Sequence, residues 1–396
     1  MHRVVVDEKK WLEESRFLHA LNFCVLLPGP EAQKLATYIG WLLHGTRGGL
    51  VAGILFVLPG ALVMLALSLL YSLGRGVPAV EGALFGIKAA VLVIVVEALI
   101  RIGKRALKTN LLVGVAAAAF VGIFFLDLPF PLIVVAAAAF GYLTQRKEAP
   151  GKEIAPTPGR WRHAAIALLT GAVLWWTPVV TVVLLFGADH VSADIGLFFS
   201  KLAVVSFGGA YALLAYMAQQ AVDNYHWMSA AEMVDGLGLA ETTPGPLILV
   251  TQFVGFLAAY RDAAPFSPVV AGALGAALTT WVTFVPPMTL IFAGAPFVEQ
   301  LRANHRLSGA LAAITAAVVG VILNLTVWFA LHVLFGQVSE MRTGPLRWYA
   351  FDPLALDLKV AALATLAALL AFQFKRGLVE LVLVMAALGI AVRLLS

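Results

Sequence analysis

The chain has 396 residues, 61% of them hydrophobic and only 12% charged, against roughly 25% charged in a soluble domain. A mean hydropathy of +0.92 agrees, so soluble enzymes and DNA-binding domains are excluded and a polytopic, all-α membrane protein is expected. The net charge of +5 fits Lys and Arg in cytoplasmic loops better than a nucleic-acid partner. The single cysteine, Cys24, can close no internal disulfide, and no Cys/His cluster has metal-ligand spacing. Residues 1–16 are charged and mixed, without the apolar core of a cleavable signal peptide.

A spanning helix needs ~20 apolar residues. In chain order the apolar segments are 16–43 (interrupted), 49–73, 79–101, 109–126 and 129–144. A polar stretch rich in Pro, Gly, Lys and Arg follows from Gln145 to Arg162 and reads as a linker. Then come 163–187, 195–222, 233–260 (interrupted), 267–295, 307–335, 354–374 and 377–395, for about twelve transmembrane segments in all.

The segments repeat. A shift of 216 places Trp11 on Trp227, Leu21 on Leu237 and Pro28-Gly29-Pro30 on Pro244-Gly245-Pro246. After a loop insertion the shift becomes 227, which brings Pro59 onto Pro286 and Ile87-Lys88-Ala89-Ala90-Val91 onto Ile314-Thr315-Ala316-Ala317-Val318. Three regions result: a first repeat (1–144), a basic linker with one connecting helix (145–194) and a second repeat (195–396).

Positive charges set the orientation. Arg101, Lys104, Arg105 and Lys108, with Arg146, Lys147, Lys152, Arg160 and Arg162, bracket the 109–144 hairpin and should be cytoplasmic. In the second copy the equivalent turn carries Lys375 and Arg376 and should itself be inside, so the copies are expected in inverted topology, a transporter architecture. Arg302, His305 and Arg306 fall inside as well. One segment objects: Arg3, Lys9, Lys10 and Arg16 would lie outside, though four acidic residues accompany them. The second copy opens with a span holding Ser206-Phe207-Gly208-Gly209 that the first copy lacks, and the expectation is a native first helix missing from this sequence.

The strongest chemical signal is the pair of Pro-Gly-Pro motifs inside apolar segments. Proline lacks an N–H and clashes with the preceding turn, so each motif should break its helix. Backbone freed at membrane depth survives only where it is buried in protein or lines a wet cavity. Each restarted half-helix offers N–H groups and a positive dipole end to an anion. Candidate substrate-binding residues are therefore Pro28, Gly29, Pro30 and Gln33 in the first copy. In the second they are Ser206, Gly208, Gly209, Thr242, Thr243, Pro244, Gly245, Pro246 and Gln252, the threonines as hydroxyl donors and the glutamines as amides. Structural kinks and close helix packing are the competing readings of the prolines and glycines.

Lys88 sits inside a span, where a cation costs ~2.5–3.5 kcal/mol on insertion scales. Glu97 lies on the opposite helix face and is expected to pair with Arg101 at i+4. Lys88 is thereby left to meet an anionic substrate or Glu241. Glu241, beside the second break, is the candidate for proton coupling; a helix-end carboxylate is the alternative. Asn324 reads as interhelical glue, and His19 draws attention only by its nearness to the first break. No P-loop, dinucleotide fingerprint, haem or metal motif occurs, so neither a cofactor nor a catalytic residue is expected.

At these residues the sequence resembles the chromate ion transporter (CHR) family in its long, two-domain form. The resemblance rests on Ser206-Phe207-Gly208-Gly209, Ala240-Glu241-Thr242-Thr243-Pro244-Gly245-Pro246 and Gln252-Phe253-Val254-Gly255-Phe256. In the first copy it rests on Leu27-Pro28-Gly29-Pro30, Gln33, Leu35-Ala36 and Tyr38-Ile39-Gly40. It implies a multi-pass carrier of the plasma (inner) membrane that exports chromate, is driven by the proton-motive force and confers chromate resistance. Sulfate is the competitor expected of a tetrahedral-dianion site. The partners are then chromate, protons and the lipid bilayer, with no nucleic acid; a homo-oligomer is compatible. The alternatives are a carrier for another anion such as sulfate, a membrane-embedded enzyme, and a non-transporting membrane partner or sensor.

Overall fold

The computed structural model describes residues 1–74, 76–144, 160–207, 210–297, 305–336 and 338–395. It is helical throughout, apart from one antiparallel hairpin, β1 (Val338–Thr343) with β2 (Leu346–Phe351). Among the described residues five helices are long and apolar enough to cross a membrane: Glu31–Leu73, Pro78–Ala106, Trp161–Phe186, Pro268–Phe297 and Arg306–Leu334. Shorter apolar helices at Asn110–Phe124, Phe130–Thr144, Leu247–Arg261 and Leu358–Gln373 match further expected segments.

In chain order the helices are α1 (Glu14–Leu26), α2 (Glu31–Leu73), α3 (Pro78–Ala106), α4 (Asn110–Phe124), α5 (Phe130–Thr144), α6 (Arg160–Phe186) and α7 (Val191–Val205). They continue as α8 (Ala210–Gln219), α9 (Ala230–Thr242), α10 (Val250–Arg261), α11 (Pro268–Gly294), α12 (His305–Leu334), α13 (Leu358–Ala368) and α14 (Leu378–Leu394). Local chemistry sets several starts. Thr109 caps α4, and Ser229 with Glu232 forms a capping box on α9. Pro78 and Pro268 occupy the first turn of α3 and α11, where no N–H is missed.

With no hydrophobic drive between helices in lipid, small residues let the backbones approach. Gly82 and Gly86 of α3 meet Gly389 of α14, Gly141 of α5 meets Gly309 of α12, and Gly255 of α10 meets Gly275 of α11. A methyl at Gly82, Gly86, Gly141, Gly255, Gly275 or Gly389 would come within 3.0 Å of the neighbouring helix.

Three of the twelve apolar segments double back. Segment 16–43 is α1 followed by the first part of α2, packed together through Phe23 and Tyr38 with ring centroids 5.0 Å apart. α2 then folds over at His44–Gly45, where Gly45 takes φ +61°, so that 46–73 runs back alongside. Segment 233–260 is α9 and α10, closed at its base by Arg261, which pairs with Glu232 at 2.5 Å and donates to the Trp227 carbonyl. Segment 195–222 folds likewise, bringing Phe198 of α7 to Tyr216 of α8 at 5.9 Å.

The bases of these hairpins lie on two faces. Gln219, at the end of α8, donates to Asp127 in the α4–α5 turn, and Arg347 of the β-hairpin pairs with the same carboxylate at 2.7 Å. His190 before α7 bonds the Ala264 carbonyl between α10 and α11 at 2.9 Å, tying the base of the second hairpin to that face. α11 runs from there to the opposite face, where Phe297 stacks on Trp161 at 4.8 Å, next to the start of α6. Arg16 and His19 of α1 line the same cavity as His163, Ala295 and Pro296 at that end. Arg16 and His19 therefore lie at the same end of the bundle as the start of α6.

Candidate functional site

The first Pro-Gly-Pro turn is buried at Pro28 and Gly29, whereas Pro244 and Gly245 of the second are exposed, and each turn lies against a long helix from the other repeat. Gly29 takes φ +109° and Gly245 φ +129°, values an L side chain resists, so glycine is needed at each turn. A Cβ on Gly29 would lie 2.4 Å from Cγ of Pro287, in α11. A Cβ on Gly245 would lie 3.6 Å from Cα of Gly60, in α2, and a Cβ on Gly60 would lie 2.4 Å from the Pro244 carbonyl oxygen. Offsets of 216 and 227 carry Gly29 onto Gly245 and Gly60 onto Pro287, so the two contacts occupy matching places in the repeats. Pro30 and Pro246 immediately precede the restarted helices.

The third hairpin closes on the first turn. The Gly29 N–H donates to the Ser206 carbonyl at 2.9 Å, and the Ser206 hydroxyl is spent on the Ala203 carbonyl. Gly208 and Gly209 lie outside the described residues.

The polar residues around the second turn are largely occupied. Thr242 and Thr243 were expected as hydroxyl donors, but both donate to the Leu239 carbonyl, at 2.7 and 2.9 Å. A threonine at a helix C-terminus finds a carbonyl of its own helix within reach. Gln252 bridges α2 and α11, donating to the Ala61 carbonyl at 2.9 Å and accepting from Thr280 at 3.1 Å. It lines a cavity of about 1490 Å³ between α1, α2, α6 and α11, together with Tyr38, Trp41, His19 and Thr280. Glu241 accepts a hydrogen bond from Tyr211 at 2.9 Å. Gln33 is fully buried; its amide nitrogen reaches Thr37 at 3.5 Å and its oxygen has no hydrogen-bond partner.

Lys88 does not stand free, and Glu241 is not its partner. Its ammonium pairs with Asp235 of α9 at 3.2 Å, and the other oxygen of Asp235 accepts from Tyr71 at 2.9 Å. Glu97 does pair with Arg101, at 3.6 Å. Asp235 escaped the sequence reading because it sits one helix upstream of the break, in a stretch whose spacing says nothing about α3. Asn324 lines a small outer cavity with Asp223 and Arg347.

A second buried cation was missed as well. Lys34, in the first turns of α2, is 1% exposed, and its ammonium donates to the Leu27 carbonyl across the Pro-Gly-Pro turn. Its sequence signal was a lysine four residues beyond Pro30 inside an apolar segment. No group of three or more metal-ligating side chains occurs among the described residues.

Comparison with known proteins follows this geometry. The chromate transporter family matches residues 1–142 and 193–392, which hold all three hairpins. The chain belongs to that family. It is 32% identical over 353 residues to a chromate transport protein of Pseudomonas aeruginosa, covering 87% of this chain and 78% of that protein. A chromate transport protein of Cupriavidus metallidurans is 27% identical over 327 residues, 81% of this chain and 74% of its own. An uncharacterized transporter of Methanocaldococcus jannaschii is 25% identical over 338 residues, with 84% and 79% covered. No solved structure matches. The all-α polytopic architecture and the family resemblance read from the sequence both hold.

Proposed function

We propose that this transporter family member carries chromate out of the cell across the plasma membrane, driven by the proton-motive force, by binding the oxyanion where the Pro-Gly-Pro turns meet the opposite repeat. The observation that carries this reading is the matched pair of contacts, Gly29 on Pro287 and Gly245 on Gly60. Two broken helices of two repeats, 1–144 and 195–396, enter from opposite faces and end beside each other's long helix. Paired broken helices at corresponding positions are how secondary transporters build a midplane site. Rocking one repeat against the other would expose such a site to each face in turn.

The chemistry supports an anion. The restarted helices bring ~0.5 positive charge each, and a buried ammonium stands at Lys34 and a partly buried one at Lys88. Glu241, held by Tyr211 beside the second turn, is the proposed proton carrier. Lys88 takes part by exchanging Asp235 for substrate, which keeps its charge compensated both with and without the oxyanion.

The test is accumulation of labelled chromate in everted membrane vesicles, energised or uncoupled, with excess sulfate. Uptake that collapses on uncoupling and falls with sulfate is the expected result. Uptake equal to that of empty-vector vesicles would remove the assignment. Uptake insensitive to uncoupling would remove proton coupling alone.

A further inference from the structure

Four charged side chains are buried among the described residues: Lys34, Glu232, Asp235 and Arg347. Three are neutralised inside the protein. Glu232 pairs with Arg261 at 2.5 Å, Asp235 with Lys88 at 3.2 Å and Arg347 with Asp127 at 2.7 Å. Lys34 has no carboxylate within ion-pair distance among the described residues, and a single carbonyl, that of Leu27, takes one of its three N–H groups. A buried cation left in that condition is costly, and more so in a membrane bundle, unless an anion meets it.

The surroundings favour an anion. Lys34 lies near the start of α2, on the half-helix that opens after Pro30, whose first N–H groups have no intrahelical acceptor and form the positive end of the helix dipole. Its neighbour Gln33 is fully buried, and its amide oxygen has no hydrogen-bond partner among the described residues; as an acceptor it calls for a donor and does not itself attract the anion. At the matching place in the second hairpin, 216 residues on, stands Val250, buried and apolar. Only one of the two turns therefore carries a fixed cation.

We propose that Lys34 is the residue that grips the oxyanion, exchanging the Leu27 carbonyl for a substrate oxygen, and that the first hairpin is the substrate-holding half of the site while the second closes on it. This rests on the oxyanion reading above. A purely structural Lys34 would only tie the end of α1 to the start of α2. That role uses one N–H and needs no anion, which makes the two readings separable.

The experiment is thermal unfolding of the purified full chain in detergent, titrated with sulfate or chromate, with chloride at matched ionic strength as control. A ligand that binds the folded state raises the unfolding temperature with its concentration. The parent is expected to respond to both oxyanions and not to chloride. Lys34→Met should fold and lose the response. Lys34→Gln keeps a donor for the Leu27 carbonyl without the charge, and should weaken the apparent affinity by about 10- to 100-fold, the size of one lost charge-assisted bond. Lys34→Arg should recover part of it. If Lys34→Met fails to fold, Lys34→Gln decides alone. A Lys34→Gln titration that matches the parent's overturns the inference and leaves the oxyanion reading standing. A parent that responds to neither anion overturns the oxyanion reading itself.

Discussion

Replacing Gly29 by alanine tests whether the hairpin turn and the opposite repeat are built as one site. Two penalties add at this residue. A φ of +109° costs an L side chain about 1–3 kcal/mol. The new methyl would also stand 2.4 and 2.5 Å from Cγ and Cβ of Pro287, an overpacking worth about 1–3 kcal/mol. The sum, roughly 2–6 kcal/mol, is a large share of the ~5–15 kcal/mol typical of a folded protein. Gly114→Ala in α4 is the control, because a Cβ there meets nothing within 4 Å and alanine should gain up to about 1 kcal/mol. Pro287→Ala combined with Gly29→Ala removes Cγ but leaves Cβ 2.5 Å away and the φ strain in place, so it should restore only part of the overpacking loss of about 1–3 kcal/mol. Denaturant unfolding in micelles reads the stabilities, and vesicle uptake reads function. If Gly29→Ala equals the parent in both, the turn is not packed against α11 and the proposed site loses its first wall.

Other substitutions probe the charges. Asp235→Asn or Lys88→Met alone should destabilise by about 3 kcal/mol or less, since Lys88 is partly exposed, whereas the double variant should be near neutral in unfolding yet impaired in uptake; normal uptake by the double variant removes Lys88 from the site. Arg347, buried at the outer face, donates to the Phe124 and Ile123 carbonyls and pairs with Asp127. Arg347→Ala should cost about 3–5 kcal/mol and make the β-hairpin sensitive to protease. Loss of solvent, aided by Glu340, pushes Asp223 at that face up to about 6, against the pull of Arg347. A carboxyl whose value rises on folding holds its proton better when folded, so its ionisation weakens the fold above about pH 6 and the penalty is relieved as pH falls through that value. Protease resistance of the hairpin should thus increase from pH 7.5 to 5.5, and Asp223→Asn should flatten that change.

Much of this protein follows from local sequence. Composition and apolar runs dictate a helical membrane bundle, because lipid offers the backbone no hydrogen bonds. Pro28-Gly29-Pro30 and Pro244-Gly245-Pro246 dictate two interruptions, because proline cannot continue a helix and only glycine accepts those φ values without strain. The Glu97–Arg101 pair was legible for the same reason, as neighbours on one helix face. What the tertiary structure decided depends on elements far apart in the chain. The folding back of 16–43 turns on how α1 and α2 pack, and that brings Arg16 to the same cavity as His163. Thr242 and Thr243 carry the right hydroxyls but spend them on Leu239, a choice spacing cannot reveal. Lys88 found Asp235, 147 positions later, while Lys34 found only a carbonyl. Residue type states that a cation is present, but only the packing of separate helices decides whether its charge is already answered.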